Sequence, residues 1–204
     1  MQNGVTRKLI GGKRLRIIGA IIALLCLYGC APANVGKSAY MREAQAPAGP
    51  PPKGQAMLCI LRPHGLPSEL FAIYDGATFI GLSQSHCYFC YKCEPGEHLI
   101  IGIAQNKDAF RANLEAGKTY YAIVELRMGW FRSRMHWSLV RRGSELWSRV
   151  DKMLPSLQYV EPKPEWVGGF DEQWKEGAQE TADYFRNDPE VQQYIGILTP
   201  EDGR

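Results

Sequence analysis

Between residues 56 and 142, short runs of β-branched, aromatic and aliphatic residues alternate with turn residues, and this pattern constrains the fold most strongly. The pairs Asp75-Gly76, Pro95-Gly96 and Ala116-Gly117 lie between successive runs. Many short strands at this spacing predict a mainly β domain over residues 56–142, an antiparallel β-sandwich (Ig-like) or a barrel. The predicted strands are Met57–Leu61, Phe71–Tyr74, Thr78–Leu82, Cys87–Cys93, His98–Ala104, Phe110–Leu114, Thr119–Arg127 and Met135–Val140.

After residue 142 the spacing of the apolar residues lengthens to that of helices. Ser144 is placed to cap a short helix, and a second helix is predicted from Asp171 to Arg186. Asp188-Pro189 supplies the cap and first residue of a third helix, which Gly196 stops. Residues 143–204 are therefore predicted to form a helical C-terminal extension, which packs on the sheet or offers its aromatic faces to a partner.

The first 29 residues have the layout of a signal peptide. Residues 1–16 are polar and basic, residues 17–28 are apolar apart from Gly19, and Gly29-Cys30 follows. A stable membrane span needs about 20 apolar residues, and this run is shorter. We therefore expect a lipoprotein signal peptide over residues 1–29 rather than a permanent transmembrane anchor.

The four residues Leu27-Tyr28-Gly29-Cys30 resemble the lipobox of bacterial lipoproteins. The resemblance implies cleavage between Gly29 and Cys30, a diacylglycerol on the Cys30 sulfur and an N-acyl chain on its amine. Two or more acyl chains hold a protein stably on a membrane. Because Ala31 follows, the resemblance favours the outer membrane, facing the periplasm. The alternative is an ordinary signal peptide or an uncleaved anchor, in which Cys30 is incidental.

Residues 30–55 form the predicted lipidated N-terminus and tether. The segment is rich in Ala, Pro and Gly and ends in Pro47-Ala48-Gly49-Pro50-Pro51-Pro52-Lys53-Gly54. Such a composition buries little surface and favours an extended polyproline II conformation. We expect a semi-rigid spacer that lifts the folded domain off the lipid surface.

The charge of the chain changes sign at Cys30. Five of the 24 basic residues and none of the 21 acidic residues precede it, which leaves 19 basic against 21 acidic residues and a net charge of −2. A nucleic-acid-binding surface is strongly basic. We therefore expect no nucleic-acid partner.

The turn residues carry a resemblance to known families. The carriers are Tyr74-Asp75-Gly76, Ile80-Gly81, Tyr88-Phe89, Pro95-Gly96-Glu97-His98 and the run from Leu114 to Tyr121. With these, residues 56–140 resemble an uncharacterised domain-of-unknown-function family of small bacterial lipoproteins, and they are similar to PEGA-type domains. The resemblance implies a compact prealbumin-like β-sandwich, usually without enzymatic residues.

Four cysteines form the most conspicuous local feature: Cys59 upstream, and Cys87, Cys90 and Cys93 in one predicted strand. Three thiols at this spacing suit zinc or an iron–sulfur cluster if the backbone forms a knuckle. In a strand, Cys90 points away from Cys87 and Cys93, so no two of the three should bridge. An exported protein lies in an oxidising compartment, which favours pairing Cys59 with one of them. Disulfide, metal and thiol redox roles all stay open.

A second cluster combines arginines with aromatic residues. Its possible anion-binding residues are Arg127, Arg132, Arg134 and Arg141, interleaved with Trp130, Phe131, Trp137 and Trp147. Arginine forks match phosphates and carboxylates, so lipopolysaccharide phosphates or peptidoglycan are conceivable ligands. The alternative is a solvated hairpin with its aromatic residues turned inward.

Signals for catalysis are weak. Gly81-Leu82-Ser83-Gln84-Ser85 lacks the final glycine of a nucleophile elbow, and His98 is the best-placed candidate for acid–base work. We therefore expect a non-catalytic envelope lipoprotein that binds lipid through its acyl anchor and serves binding or assembly, with no cofactor beyond its acyl chains. The alternative is a thiol- or metal-dependent periplasmic protein that uses Cys87, Cys90 and Cys93.

Overall fold

The computed structural model describes residues 39–66, 69–128, 133–166 and 172–204. Gly29, Cys30 and the predicted signal peptide lie outside these ranges. So do Arg132 and the aromatic pair Trp130 and Phe131.

The described chain folds as a mainly β protein with helices near its C-terminal side. The strands are β1 (Met41–Glu43), β2 (Ala56–Arg62), β3 (Phe71–Asp75), β4 (Thr78–Ser83), β5 (Cys87–Cys93), β6 (Gly96–Ile103), β7 (Lys107–Leu114), β8 (Thr119–Met128), β9 (Ser133–Leu139), β10 (Gln158–Pro162) and β11 (Gly196–Leu198). The helices are α1 (Glu145–Met153), α2 (Glu172–Asn187) and α3 (Pro189–Gln192), with short 3-10 turns at Leu154–Ser156, Pro164–Trp166 and Pro200–Asp202.

All eight strands predicted from the sequence are confirmed, each to within three residues at either end. The turn glycines Gly76, Gly96 and Gly117 have positive φ angles of 56°, 130° and 79°. Glycine adopts such angles without a Cβ clash, which is why these positions end one strand and start the next.

The strands form two sheets, and both are mixed rather than antiparallel. The six-stranded sheet has the order β1-β10-β5-β2-β8-β9, and the five-stranded sheet has the order β11-β7-β6-β3-β4. The pairs β2–β8, β5–β10 and β7–β11 are parallel. The prediction of a purely antiparallel sandwich was therefore wrong in this respect. Local turn signals reveal hairpins, whereas a parallel pair joins strands that are far apart in sequence.

Two hydrophobic clusters form the core. The larger contains buried residues of both sheets together with Ala178, Ala182 and Phe185 of α2. The smaller lies on the other face of the six-stranded sheet and includes Val150 of α1. Strand alternation therefore sends β2 and β5 side chains into both clusters, and both strands are buried along almost their whole length.

The C-terminal segment is not the purely helical extension that we predicted. Its helices are confirmed: Ser144 accepts a hydrogen bond from the Trp147 amide at the start of α1, and Asp188 caps α3. However, β10 and β11 complete one sheet each. The third helix also ends at Gln192, and Gly196 begins a strand rather than only stopping a helix.

Part of the predicted tether also belongs to the folded domain. Residues Met41–Glu43 pair with β10, and the Met41 side chain is buried. Residues 45–54 are largely exposed, as expected of a Pro- and Gly-rich spacer.

Candidate functional site

Strand β5 places its cysteines on two faces. Cys90 lies directly opposite Cys59 of β2, with their Cα atoms 4.0 Å apart, and the two sulfurs form a disulfide. Both residues belong to the smaller hydrophobic cluster. The disulfide thus joins two neighbouring central strands, and it closes a segment with a sequence separation of 31 residues.

Cys87 and Cys93 are buried free thiols that point into the larger cluster, on the face opposite to Cys90. Burial, and to a smaller extent the Glu43 carboxylate, raises the pKa of the Cys87 thiol to about 11, against the opposing effect of Arg62. A thiol with this pKa is protonated at neutral pH and is a weak nucleophile and metal ligand.

The thiols of β5 do not converge. Cys87 and Cys93 are six positions apart, which corresponds to about 20 Å along a strand. Within the described ranges, no three His, Cys, Asp or Glu side chains meet in a group that could hold a metal ion.

Three polar residues link the two sheets; we call them the Asp75 cluster. The Asp75 carboxylate of β3 lies 2.6 Å from Nδ1 of His98 on β6, and it accepts a hydrogen bond from the Tyr91 hydroxyl of β5 at 3.1 Å. Nε2 of His98 lies 2.8 Å from the Glu94 carbonyl oxygen. Both imidazole nitrogens therefore face acceptors, which is the arrangement of a doubly protonated ring.

The surroundings of His98 favour its charged form. Hydrogen bonds to Asp75 and then to Cys93 raise the pKa of His98 to about 10, against the opposing effect of burial. A general base needs a free nitrogen that faces its nucleophile. Because Asp75 and the Glu94 carbonyl engage both nitrogens, the cluster is built to hold two sheets together. The proposed acid–base use of His98 has no support in this geometry.

A second polar group, the Arg62 cluster, consists of Arg62, Glu69, Ser83, Ser85 and His86. The Arg62 side chain is fully buried. Its Nη1 donates to the carbonyl oxygens of Glu69 at 2.6 Å and Ser83 at 3.1 Å, and its Nη2 lies 3.5 Å from the Glu69 carboxylate. The guanidinium also stacks 4.1 Å from the Phe71 ring centre. Burial lowers the pKa of Arg62, and Glu69 opposes the shift.

The chain folds tightly around the Arg62 cluster. Gly65 has a φ of 133°, and a Cβ there would lie 2.7 Å from Arg62 Nη2. The Ser85 hydroxyl lies 2.7 Å from the Gly65 carbonyl oxygen and 2.8 Å from Nδ1 of His86, whose φ is 59°. A positive φ at a residue other than glycine is unusual and indicates a backbone that its surroundings hold in place.

The Arg62 cluster also contains unsatisfied polar atoms. Four buried side-chain atoms of the described residues have no hydrogen-bond partner, and three of them belong to this region: Arg62 Nε, Ser83 Oγ and Gln84 Oε1. Residues 63–66 and 69–70 adjoin them and include two large exposed apolar side chains, Leu66 and Leu70. Each unsatisfied buried group carries a free-energy penalty of about 1–3 kcal/mol.

The predicted arginine patch is divided by the structure. Arg127 and Arg134 lie directly opposite each other on β8 and β9, and both are exposed. Arg141 is also exposed but follows the other end of β9. The Trp137 side chain is buried against Phe110, so it does not flank the arginines on the surface.

Sequence reasoning missed Arg62, Glu69, Asp75 and Tyr91. A signal was present for two of them. Arg62 has the same strand parity as Leu58 and Ile60, and Asp75 has the same parity as Ile73, so alternation alone places both on the core side. No local pattern reveals that Glu69 or Tyr91 is their partner.

Comparison with models of known protein families found no match, and neither did comparison with curated proteins or with solved structures. The resemblance to the lipoprotein and PEGA-type families stays a prediction. Over the part of the chain that the structure describes, no helix combines the length and apolar character needed to cross a membrane.

Proposed function

We propose that this chain is an exported, lipid-anchored bacterial lipoprotein whose β domain acts as a non-catalytic binding or assembly module at the cell envelope. The observation that carries the proposal is the Cys59–Cys90 disulfide between two central strands. Disulfides persist in oxidising compartments and are rare in the cytosol. Together with the lipobox-like residues Leu27 to Cys30, the disulfide supports export from the cytosol, and Ala31 after Cys30 favours the outer membrane, facing the periplasm.

The state of the acid–base groups supports a non-catalytic role. His98 uses both ring nitrogens in the Asp75 cluster, and Cys87 and Cys93 are buried away from solvent. A ring with both nitrogens engaged has none free to accept a substrate proton, and a buried thiol has no access to a substrate. The proposed fold is a prealbumin-like sandwich in which these contacts hold the two sheets together.

The exposed pair Arg127 and Arg134 supports an anionic envelope partner, either peptidoglycan carboxylates or lipopolysaccharide phosphates. Like charges directly opposite on neighbouring strands repel each other. Neither guanidinium has an ion-pair partner among the described residues. An anion bound between them would relieve this repulsion and form charge-assisted hydrogen bonds.

The second candidate is a thiol-dependent protein that uses Cys87 or Cys93. The observation that favours it is that both thiols stay reduced beside a disulfide-bonded strand. A redox role needs one of them to become exposed and ionised, whereas burial raises the pKa of Cys87.

Metabolic labelling with an alkyne fatty acid tests the anchor. The wild type should be labelled, Cys30→Ala should lose the label, and the matched variant Cys93→Ala should keep it. Equal labelling of Cys30→Ala and the wild type would contradict the proposal.

Thiol counting in the denatured, processed protein tests the disulfide and the redox candidate together. Without reductant we expect two thiols, from Cys87 and Cys93, and after reduction we expect four, because a thioether blocks Cys30. Four thiols without reductant would exclude the disulfide. A count that changes with a periplasmic thiol oxidase or reductase would favour the redox candidate.

A further inference from the structure

A cavity of about 420 Å³ lies on the five-stranded sheet, on the side where α2 ends. Strands β6, β7 and β11 form its floor, and the last turn of α2 forms one wall. The side chains that line it include Glu97, Leu99, Arg111, Asn113, Arg186 and Ile197. The volume falls in the range of about 300–1,000 Å³ that small-molecule and peptide sites occupy.

The strand register fixes the arrangement of the floor. Arg111 of β7 lies directly between Leu99 of β6 and Ile197 of β11, which are its register partners on either side. Asn113 lies directly opposite Glu97. The floor therefore presents a cation flanked by two apolar side chains, and next to it an amide opposite a carboxylate.

The charged groups of the cavity are free to bind. Arg111, Asn113 and Glu97 are exposed and have no hydrogen-bond or ion-pair partner within the described part of the chain. Arg186 lies over the β3–β4 turn, close to Gly76, and among the described residues its only ion pair is a long one, 3.7 Å, to the exposed Asp183. Two guanidinium groups against one carboxylate leave the cavity with a net positive charge.

The segment 184–197, which borders the cavity, carries exposed apolar side chains. Of the five large apolar residues that are exposed in the described ranges, Tyr184, Tyr194 and Ile197 belong to the stretch 184–197. This stretch contains the end of α2, the short helix α3 and β11. Of these three, Ile197 lines the cavity and supplies an exposed apolar contact beside its charged groups.

From this arrangement we propose that the cavity binds the carboxyl end of a peptide whose last residue is apolar. Arg111 and Arg186 hold the terminal carboxylate, Leu99 and Ile197 contact the last side chain, and Asn113 and Glu97 pair with the peptide amide. A lipid phosphate would use the arginines but would leave the amide and carboxylate without a role. The inference deepens the binding role proposed above and rests on it.

The test uses the full processed protein in detergent and the acetylated tripeptide Ac-Ala-Ala-Leu as the probe. Its amidated form is the uncharged control, and hexyl phosphate tests a lipid-type anion. Binding is followed by NMR shifts of backbone amides. We expect the free carboxylate form to shift amides of β6, β7 and β11, and the amidated form to bind about tenfold more weakly or worse, because a charge-assisted hydrogen bond is lost.

Variants locate the site. Arg111→Gln and Arg186→Gln should each weaken tripeptide binding about tenfold. The matched control Arg149→Gln, on α1 beside the other sheet, should leave the affinity unchanged. Since the exposed Arg111 side chain makes no hydrogen bond or ion pair among the described residues, Arg111→Gln should keep the wild-type thermal midpoint. If it does not fold, Arg186→Gln alone decides.

Three outcomes would overturn the inference: equal binding of the two tripeptides, tighter binding of hexyl phosphate, or no shift at about 10 mM tripeptide. Fatty-acid labelling at Cys30 is measured separately, so failure of peptide binding and failure of the lipid anchor are distinguishable. Intact label without peptide binding would remove this inference only.

Discussion

The Asp75 cluster and the Arg62 cluster both lie on the core side of the sheets, yet they differ in how completely their polar atoms are satisfied. His98 and Tyr91 engage Asp75 and the Glu94 carbonyl through each of their polar side-chain atoms. Around Arg62, three buried atoms have no partner. A saturated cluster stabilises one arrangement, whereas an unsaturated one lowers the free energy needed to open the chain around it.

Of all changes to the two clusters, removal of the Arg62 side chain should lower the free energy of unfolding most. Arg62→Ala empties a fully buried site and leaves two carbonyl oxygens without their donor, and loss of a large buried side chain typically lowers the free energy of unfolding by about 3–5 kcal/mol. Urea unfolding of the full protein measures the loss. The exposed pair Arg42–Glu161 supplies the control, since Arg42→Ala should change the value by no more than about 1 kcal/mol.

The Cys59–Cys90 disulfide links β2, which carries Arg62, to β5, which carries Tyr91. Removing it therefore tests whether the two clusters depend on the same crosslinked pair of strands. With a sequence separation of 31 residues, loss of the crosslink in Cys59→Ala/Cys90→Ala should lower the free energy of unfolding by about 3–4 kcal/mol. Hydrogen exchange should rise at both Arg62 and Tyr91. A rise at only one of them would show that the clusters are independent.

The Asp75 cluster should make stability depend on pH. The folded-state pKa of His98 is raised to about 10, above its unfolded value of about 6.5. Its contribution is therefore fully present below pH 6.5 and is lost as the pH rises through about 10. We expect a fall of more than about 1 kcal/mol between these values, measured by urea unfolding. In His98→Asn the profile should be nearly flat between pH 6.5 and about 8, below the range in which the Cys87 thiol ionises in the unfolded chain.

The smallest change in the free energy of unfolding is expected at Ser85, which joins the Arg62 cluster to Gly65. Ser85→Ala removes the hydroxyl that links the Gly65 carbonyl to His86, which should lower the free energy of unfolding by about 1 kcal/mol. Hydrogen exchange at Gly65 and Leu66 should accelerate, while exchange at His98 stays unchanged. Equal acceleration at His98 would contradict the separation of the two clusters.

The strands could be predicted because each is encoded by a local alternation and a neighbouring turn. The parallel pairs could not, because β10 and β11 return to β5 and β7 from distant positions in the chain. Separation along the chain also explains why the sequence did not predict the Asp75 cluster. Asp75 and His98 stand in turn motifs about twenty residues apart, and nothing local shows that β3 and β6 bring them together.

The candidate site follows the same rule. Pairing of Cys59 with one of the three later cysteines was expected, and the choice of Cys90 depends on the register of β2 against β5. The cavity needs Arg111 from a central strand and Arg186 from a helix that follows much later. The pairing of these two arginines in one cavity can therefore be inferred only when the position of α2 on the sheet is known.

The late strands also affect how the domain is made. Until residues 158–198 have left the ribosome and crossed any membrane in their path, β5 and β7 each have an open edge. Unpaired edges recruit other strands, including those of neighbouring chains. The nascent domain therefore remains vulnerable to aggregation almost to its final residues, and a chaperone that binds extended chain would protect it during that interval.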